Sequence, residues 1–232
     1  MVKIFIDPGH GGNDPGAVGN GLQEKSLTLA IARKIRDRLK NYENVSVRLS
    51  RDSDKFISLS DRAKDANNWG ADYFVSIHIN SAGGTSGEGF ESFIFNGSVS
   101  KATIANQNVI HAEIVKATGF RDRGKKRANF AVLRQTKMPA ILTENGFINN
   151  PADANKLKQD SFLNKIADGH VEGLAKALGL KKKAVAKPAP AKTTTSGKLY
   201  RVQVGAFSQK ENAEKLAAEL KKKGYDTYIT QN

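Results

Sequence analysis

Lys3-Ile-Phe-Ile-Asp-Pro-Gly-His-Gly-Gly12 is the stretch around which the rest of this chain is arranged. It begins with a short apolar run, Ile4-Phe-Ile6, which is typical of a strand buried on both faces of a parallel sheet. Asp7 and Pro8 end that run, and three glycines then surround His10, so the backbone can turn tightly and leave the imidazole uncovered. The pattern predicts a histidine that a rigid strand holds at the rim of a sheet, within reach of solvent and of a metal ion.

The composition indicates a globular protein with one medium-sized domain and a further, smaller segment. The chain has 232 residues, of which 39% are hydrophobic, enough for an ordinary core. It has no apolar run of the roughly 18 residues that a membrane span needs, and no signal-peptide pattern precedes the first strand. Cysteine is absent, which excludes disulfides, cysteine-bound zinc and cysteine nucleophiles.

The chain is strongly basic, with a formal net charge of +14. Residues 181–232 carry 12 Lys and Arg against 4 Asp and Glu, so much of the excess lies towards the C-terminal end. Basic proteins favour polyanionic partners, which means nucleic acid, anionic lipid or the polymers of a cell wall.

Strand-like and helix-like runs alternate through most of the chain. Runs that predict strands lie at 4–6, 45–49, 72–78, 90–95, 130–133 and 140–144. Helical patterns lie at 22–39, 58–69, 99–118 and 160–178, with a short helix opened by Pro151 and a basic loop at 121–127. This order predicts an α/β fold: a twisted, mostly parallel sheet of about six strands with helices on both faces.

The C-terminal part of the chain differs in kind. Residues 181–197 are rich in Lys, Pro and Thr, as in an interdomain linker. Beyond them, alternating runs at 200–206 and 225–230 flank a helical face, which predicts a small βαβ segment. The predicted organisation is therefore a main domain at 1–180, a linker at 181–197 and a segment at 198–232 that is small for an independent core.

Three ionisable residues end apolar strands, namely His10, His78 and Glu144. Open α/β sheets place their sites beyond the carboxyl ends of strands, so these side chains are expected at one edge. Glu24, close in sequence to His10, begins the first long helix. Two histidines and one carboxylate with an open fourth position make a catalytic zinc set, and a further glutamate could take a proton from water.

Each of these residues also has a plain structural explanation. A histidine at a strand end is more often a polar residue with satisfied hydrogen bonds than a metal ligand. Glu24 could begin a helix only because a negative charge interacts favourably with the helix dipole at the N-terminus. Glu144 is harder to explain in this way, because its apolar neighbours predict burial and a buried carboxylate needs a metal, a cation or a shifted pKa. His111 and His170 are not assigned to a metal, since His170 continues an apolar helical stripe.

Four spaced motifs together resemble the type-3 family of zinc-dependent N-acetylmuramoyl-L-alanine amidases. They are Asp7-Pro-Gly-His-Gly-Gly12, Glu24-Lys25, Ser76-Ile-His-Ile-Asn80 and Thr143-Glu-Asn-Gly-Phe147, and the resemblance runs from Lys3 to about Leu178. The resemblance implies that His10, Glu24 and His78 bind one zinc ion and that Glu144 is the catalytic carboxylate. It also implies that 1–180 is a catalytic domain that hydrolyses the amide between N-acetylmuramic acid and L-alanine in peptidoglycan.

The tail resembles the SPOR repeat, a peptidoglycan-binding module, through Leu199-Tyr-Arg-Val-Gln-Val-Gly-Ala-Phe207. A full module would repeat the βαβ unit, so 198–232 is expected to be a partial wall-binding domain. The combination resembles the sporulation mother-cell lytic amidases of bacilli. The resemblance implies an autolysin that acts at the cell wall, with peptidoglycan rather than nucleic acid or a membrane as its partner. From the sequence we further expect a monomer that is made in the cytoplasm without a signal peptide.

Three alternatives stay open at this point. One is a phage endolysin of the same activity, and another is a zinc peptidase that cuts within the stem peptide. The third is a non-enzymatic basic protein that binds the wall or nucleic acid, for which charge is the only support. Aromatic residues make up only 7% of the chain and show no stacking pattern of single-strand binders.

Overall fold

The computed structural model of this chain describes residues 1–84, 87–184 and 202–230. The chain divides into two compact units, Met1–Lys183 and Ala184–Asn232. Most of the linker predicted at 181–197 lies outside the described residues. Among the helices described, none is long and apolar enough to cross a membrane.

The first unit contains a mostly parallel sheet flanked by helices. The strands are β1 (Val2–Pro8), β2 (Val18–Gly19), β3 (Leu22–Gln23), β4 (Val45–Leu49), β5 (Tyr73–Asn80), β6 (Phe90–Phe95), β7 (Asp122–Ala128) and β8 (Ala140–Phe147). The helices of this unit are α1 (Glu24–Leu39), α2 (Leu59–Trp69), α3 (Lys101–Thr118), α4 (Ala131–Gln135), α5 (Pro151–Leu157) and α6 (Asp160–Leu178). β2 and β3 form a hairpin, and the other six strands form one sheet in the order β4-β1-β5-β8-β6-β7. Within this sheet β6 and β8 are antiparallel and the other neighbours are parallel, so the predicted α/β fold is confirmed.

The two faces of the sheet are covered by different helices. One face, with Ile4 and Ile6 of β1, packs against apolar residues of α1, α3 and α6. The other face, with Phe5 of β1 and Phe74 of β5, packs against α2 and α4. Because successive side chains of a strand point to opposite faces, an unbroken apolar run such as Ile4-Phe-Ile6 is what a central strand requires.

The strand register places the predicted site residues at one edge. In β1 and β5, Asp7 pairs with Ser76, and in β5 and β8, His78 pairs with Glu144. These three strands are parallel and end together, so the loop that carries His10 leaves the sheet beside them.

Local signals predicted the bounds of α2 well. The Ser58 side chain accepts a hydrogen bond from the backbone N–H of Asp61, and Gly70 ends the helix in the left-handed region at φ 67°. These are the roles that serine and glycine have at helix ends, because the hydroxyl satisfies a free N–H and glycine has no Cβ to clash.

Two predictions in the first unit differ from the structure. The basic loop predicted at 121–127 is largely strand β7, which pairs in parallel with β6 at the edge of the sheet. An edge strand can keep charged side chains in water, so it lacks the apolar alternation that marks a strand. The strand predicted at 130–133 is instead helix α4, whose Val132 and Leu133 are both buried. A short apolar run cannot distinguish a strand from a helix by its period alone.

The tail also differs from its prediction. Within 202–230 the one regular element is helix α7 (Lys210–Lys222), and the alternating runs predicted as strands have no ladder partner among the described residues. The predicted βαβ segment is therefore present there only as its helix. A strand exists through its hydrogen bonds to a neighbour, and a sequence pattern does not supply that neighbour.

His170 has the packing role that its position in an apolar stripe predicts. It is fully buried, with Nδ1 2.8 Å from the Ile166 carbonyl and Nε2 3.0 Å from the Thr143 hydroxyl. Burial lowers the pKa of His170 to about 4, so the ring is neutral at pH 7. Asn145 donates to the Thr143 hydroxyl and to the His78 carbonyl, which links α6 to the site edge of the sheet through buried hydrogen bonds.

Candidate metal centre

His10 lies in the glycine loop that follows β1, where its backbone is in the left-handed region at φ 62°. Its Nδ1 is 2.8 Å from Oδ2 of Asp14, so the carboxylate orients the ring. A non-glycine residue at positive φ is uncommon and costs of order 1–3 kcal/mol, so the surrounding structure must hold it. The ring is thereby aimed with Nε2 towards the start of α1.

Glu24 is the first residue of α1 and bridges the two histidines. Its Oε2 is 3.2 Å from Nε2 of His10, and its Oε1 is 2.9 Å from Nδ1 of His78. The backbone N–H groups of Ala17 and Ile79 also donate to these oxygens, at 2.8 and 3.0 Å. Burial alone would raise the pKa of Glu24, but hydrogen bonds to the two histidines lower it well below its usual range, so the group is a carboxylate.

His78 reaches the same point from β5. The His10 and His78 ring centroids are 5.0 Å apart with the ring planes at 82°. One ligand atom each from His10, Glu24 and His78 lies within 4.8 Å of the others, and both histidines are partly accessible. The structure therefore brings these three predicted residues together.

Two glycines are needed for this closeness. A Cβ added at Gly9 would lie 2.3 Å from the His78 ring, and one added at Gly16 would lie 2.6 Å from both Glu24 and His10. Real Cβ atoms do not approach so closely, so the chain can pass the histidines at these positions only as glycine.

The donor set suits a zinc ion. Two imidazole nitrogens and one carboxylate oxygen are ligands that zinc takes in catalytic sites, where three protein ligands leave a further position open. The Asp14 carboxylate on the far nitrogen of His10 is the usual support for a ligating imidazole, because it sets the tautomer and the ring orientation. The residues present thus fit the metal that the sequence resemblance implied.

Glu144 lies beside these donors and is not one of the three. In register it is flanked by His78 of β5 and by Glu91 of β6, so all three side chains share one face of the sheet. Its Oε2 is buried and has no hydrogen-bond partner within the described parts of the chain. Burial, with Glu24 and Glu91 nearby, raises the pKa of Glu144 well above its usual value, as its apolar neighbours predicted.

Glu91 is a feature of the site edge to which the sequence assigned no role, although the stretch Gly89-Phe-Glu-Ser92 resembles the family. It is 4% exposed and accepts hydrogen bonds from Arg123 at 2.8 Å, Lys126 at 2.5 Å and Asn80 at 2.8 Å. The Arg123 guanidinium also lies 4.7 Å from the Phe147 ring centroid. The alternation in β6 puts Glu91 on a definite face, but only the antiparallel pairing with β8 places it next to Glu144.

The two remaining histidines do not enter the cluster. His111 contacts Ser92 through Nδ1 and Asp122 through Nε2, each at 2.8 Å, in a buried network on the opposite face. The sequence pattern showed no hydrogen-bond partner for His111, because Ser92 lies on β6 and Asp122 on β7. His170 is the core residue described above.

Comparison with known proteins gives two family matches. Residues 4–176 match the family model described as N-acetylmuramoyl-L-alanine amidase, and residues 171–232 match the SPOR domain. The sporulation-specific N-acetylmuramoyl-L-alanine amidase of Bacillus subtilis is 56% identical over 230 residues, which is 99% of this chain and 84% of the relative. The endolysin of Bacillus phage SPP1 is 49% identical over 185 residues, 78% of this chain and 68% of the relative.

A solved structure shows the same fold. The catalytic domain of CwlV, an N-acetylmuramoyl-L-alanine amidase from Bacillus (Paenibacillus) polymyxa var. colistinus, superposes with a TM-score of 0.74 at 39% identity. The match covers 78% of this chain and all of that domain.

Proposed function

This chain belongs to the N-acetylmuramoyl-L-alanine amidase family, and from that premise we propose which residues carry the reaction. The enzyme hydrolyses the amide between N-acetylmuramic acid and L-alanine in peptidoglycan and degrades the cell wall. We propose that His10, Glu24 and His78 bind one zinc ion and that Glu144 moves the proton. The observation that carries this proposal is the buried Oε2 of Glu144, which has no hydrogen-bond partner among the described residues and belongs to a side chain held in register beside His78.

The chemistry needs help on both sides of the amide bond, because water is a weak nucleophile and an amine is a poor leaving group at neutral pH. When bound, zinc would polarise the scissile carbonyl, lower the pKa of a water molecule and offset the charge of Glu24 beside Glu144. Glu144 accepts a proton from the attacking water and returns it to the nitrogen of L-alanine. A carbon–oxygen bond forms, the carbon–nitrogen bond breaks, and the products are a lactyl carboxylate and a free α-amine.

The other residues hold this arrangement in place. The Ala17 and Ile79 amides fix both oxygens of Glu24, and Asp14 fixes the ring of His10, so the donors are arranged before substrate arrives. Preorganised groups of this kind do not have to reorganise during the reaction.

The proposed biological role is that of a sporulation autolysin. The relative that matches 99% of this chain at 56% identity is named as sporulation-specific, whereas the phage endolysin match covers 78% of the chain. We assign the chain to wall degradation during sporulation on this basis, with 1–180 as the catalytic domain.

Incubation of the purified protein with isolated cell walls should release new N-terminal L-alanine while leaving muramic acid intact in the glycan. A chelator should stop the release, and added zinc should restore it, because the proposal assigns water activation to the metal. Mass analysis of the soluble products identifies the cut. New ends within the stem peptide would favour a zinc peptidase, and chelator-resistant release would contradict the metal.

The tail is proposed to bind the wall. The SPOR match at 171–232 and the basic composition of residues 181–232 both suit an anionic peptidoglycan surface. Residues 1–183 form a compact unit with their own core, so we expect the catalytic part to fold without the tail.

Deletion of residues 184–232 should leave hydrolysis of soluble wall fragments unchanged and slow the digestion of whole walls by roughly tenfold or more, since tethering raises the local concentration of enzyme. Parallel assays of both substrates with the full and shortened chains measure the ratio. An equal loss on both substrates would contradict a targeting role.

A further inference from the structure

Two arginines lie buried beneath the loop that carries His10. Arg51 and Arg62 are each 2% exposed, although arginine is almost never fully buried unless its donors are paired. Neither side chain belongs to the three proposed metal ligands, and neither contacts Glu144 in the hydrogen bonds that the structure gives them. Both side chains donate to backbone carbonyls of the loop.

Arg62, from α2, holds two carbonyls of this loop. Its Nη1 donates to the Pro8 carbonyl at 2.7 Å and to the Asp7 carboxylate at 2.8 Å. Its Nη2 donates to the carbonyl of His10 itself at 2.7 Å. The pair with Asp7 balances the buried charge, while the carbonyl bonds determine where the chain leaves the sheet.

Arg51, which follows β4, joins the loop to α1. Its Nε donates to the Pro8 carbonyl at 3.1 Å, and its Nη2 donates to the carbonyls of Gly9 and Lys25, both at 2.8 Å. Lys25 is in the first turn of the helix that begins at Glu24, so one nitrogen contacts both ligand-bearing elements. The hydroxyl of Thr28 completes this junction, donating to Gly9 at 2.9 Å and accepting from Arg51 at 3.1 Å.

The loop needs these hydrogen bonds, which together we call the clamp, because its backbone is strained. His10 has a positive φ of 62° with a full side chain, and the carbonyls of Pro8, Gly9 and His10 would otherwise be left without these donors. Guanidinium groups are suited to this task, since their five donors lie in a fixed plane and bind several acceptors at set angles.

We propose that Arg51 is a positioning residue for the metal: it sets the distance between His10 and Glu24 by clamping the loop, which Arg62 holds at Pro8 and His10, to the start of α1. This inference rests on the proposed zinc site, which it extends to residues outside the ligand set. A purely stabilising role would affect unfolding of the domain without changing zinc affinity in the folded protein.

The test is the zinc dissociation constant of the full chain, measured by competition with a chromophoric chelator at a temperature where circular dichroism shows every variant folded. Arg51→Lys keeps the positive charge and loses the planar fork, and zinc binding should weaken about 10- to 100-fold. Thr28→Val removes one hydroxyl from the junction, and binding should weaken by about three- to tenfold. Ile35→Val, which trims a buried core residue of the same helix, should leave zinc affinity unchanged.

The outcomes separate this inference from the function on which it rests. If the native protein binds no zinc, both the proposed metal site and the clamp are wrong. Native zinc binding with Arg51→Lys and Thr28→Val both within twofold of the native constant would overturn only the clamp. If Arg51→Lys does not fold, the Thr28→Val constant decides, because a native-like value rejects the junction and a weakened one supports it.

Discussion

Glu144→Gln should abolish amide hydrolysis while the protein stays folded and keeps its zinc. The amide has nearly the same shape as the carboxyl but cannot accept the proton from water, so turnover should fall by about 10²- to 10⁴-fold. No folded-state hydrogen bond is lost at Oε2, which has no partner in the described part of the structure. The rate of L-alanine release and the zinc content per chain measure the two effects together.

The same substitution should not lower thermal stability. Burial and two neighbouring carboxylates raise the pKa of Glu144 above that of the unfolded chain, so its contribution to stability is present at low pH and is lost as the pH rises. A neutral amide avoids that loss, and the melting temperature at neutral pH should equal or exceed the native value. Glu43→Gln on an exposed site is the matched control, with native activity. Wall lysis by Glu144→Gln at the native rate would remove Glu144 from the mechanism.

His78→Ala should lose zinc and activity together. The change removes one of three donors that approach within 4.8 Å of one another. Zinc affinity should therefore fall by more than the roughly 100-fold loss expected when a group that only supports a metal ligand is removed. Equilibrium dialysis followed by metal analysis measures zinc per chain, and wall digestion measures activity.

His111→Gln provides the matched control for this loss. His111 is 3% exposed and bonded to Ser92 and Asp122, away from the cluster, so its replacement should leave zinc at one ion per chain even if the fold is less stable. Full zinc occupancy in His78→Ala would show that the ligand set is wrong. A loss of zinc in both variants would indicate that the effect comes from destabilisation.

The elements that local pattern predicts best are those whose signal is self-contained. β1 was predicted because Ile4-Phe-Ile6 suits a strand with both faces covered. In the structure β1 pairs with β4 and β5, and its two faces pack into two separate apolar clusters. α2 was predicted because Ser58 or Ser60 could cap its start and Gly70 could end it, and the structure uses Ser58 and Gly70. β7 was missed because an edge strand of charged residues has no local apolar period, and its partner β6 is far away in sequence.

The candidate site divides in the same way. His10, His78 and Glu144 were found because each ends a predicted strand, and parallel strands bring such ends to one edge. Glu91 was given no role, since its place beside Glu144 depends on β6 inserting antiparallel between β8 and β7. Arg51 and Arg62 were not found as a clamp, since basic residues are ordinarily at the surface and only the folded loop presents three carbonyls to them.

What the amino-acid order dictates here is the set of strands, the glycine turn and the identity of the donors, because those follow from apolar period, from backbone freedom and from side-chain chemistry. The distances among the donors come from packing. Glu24 sits between two histidines because α1 starts where Ala17 and Ile79 offer their amides, and because the buried Arg51 guanidinium holds the loop against it. The contacts made by Ile79 and Arg51 join residues 55 and 26 positions apart, and strand order and helix docking bring them within hydrogen-bond range.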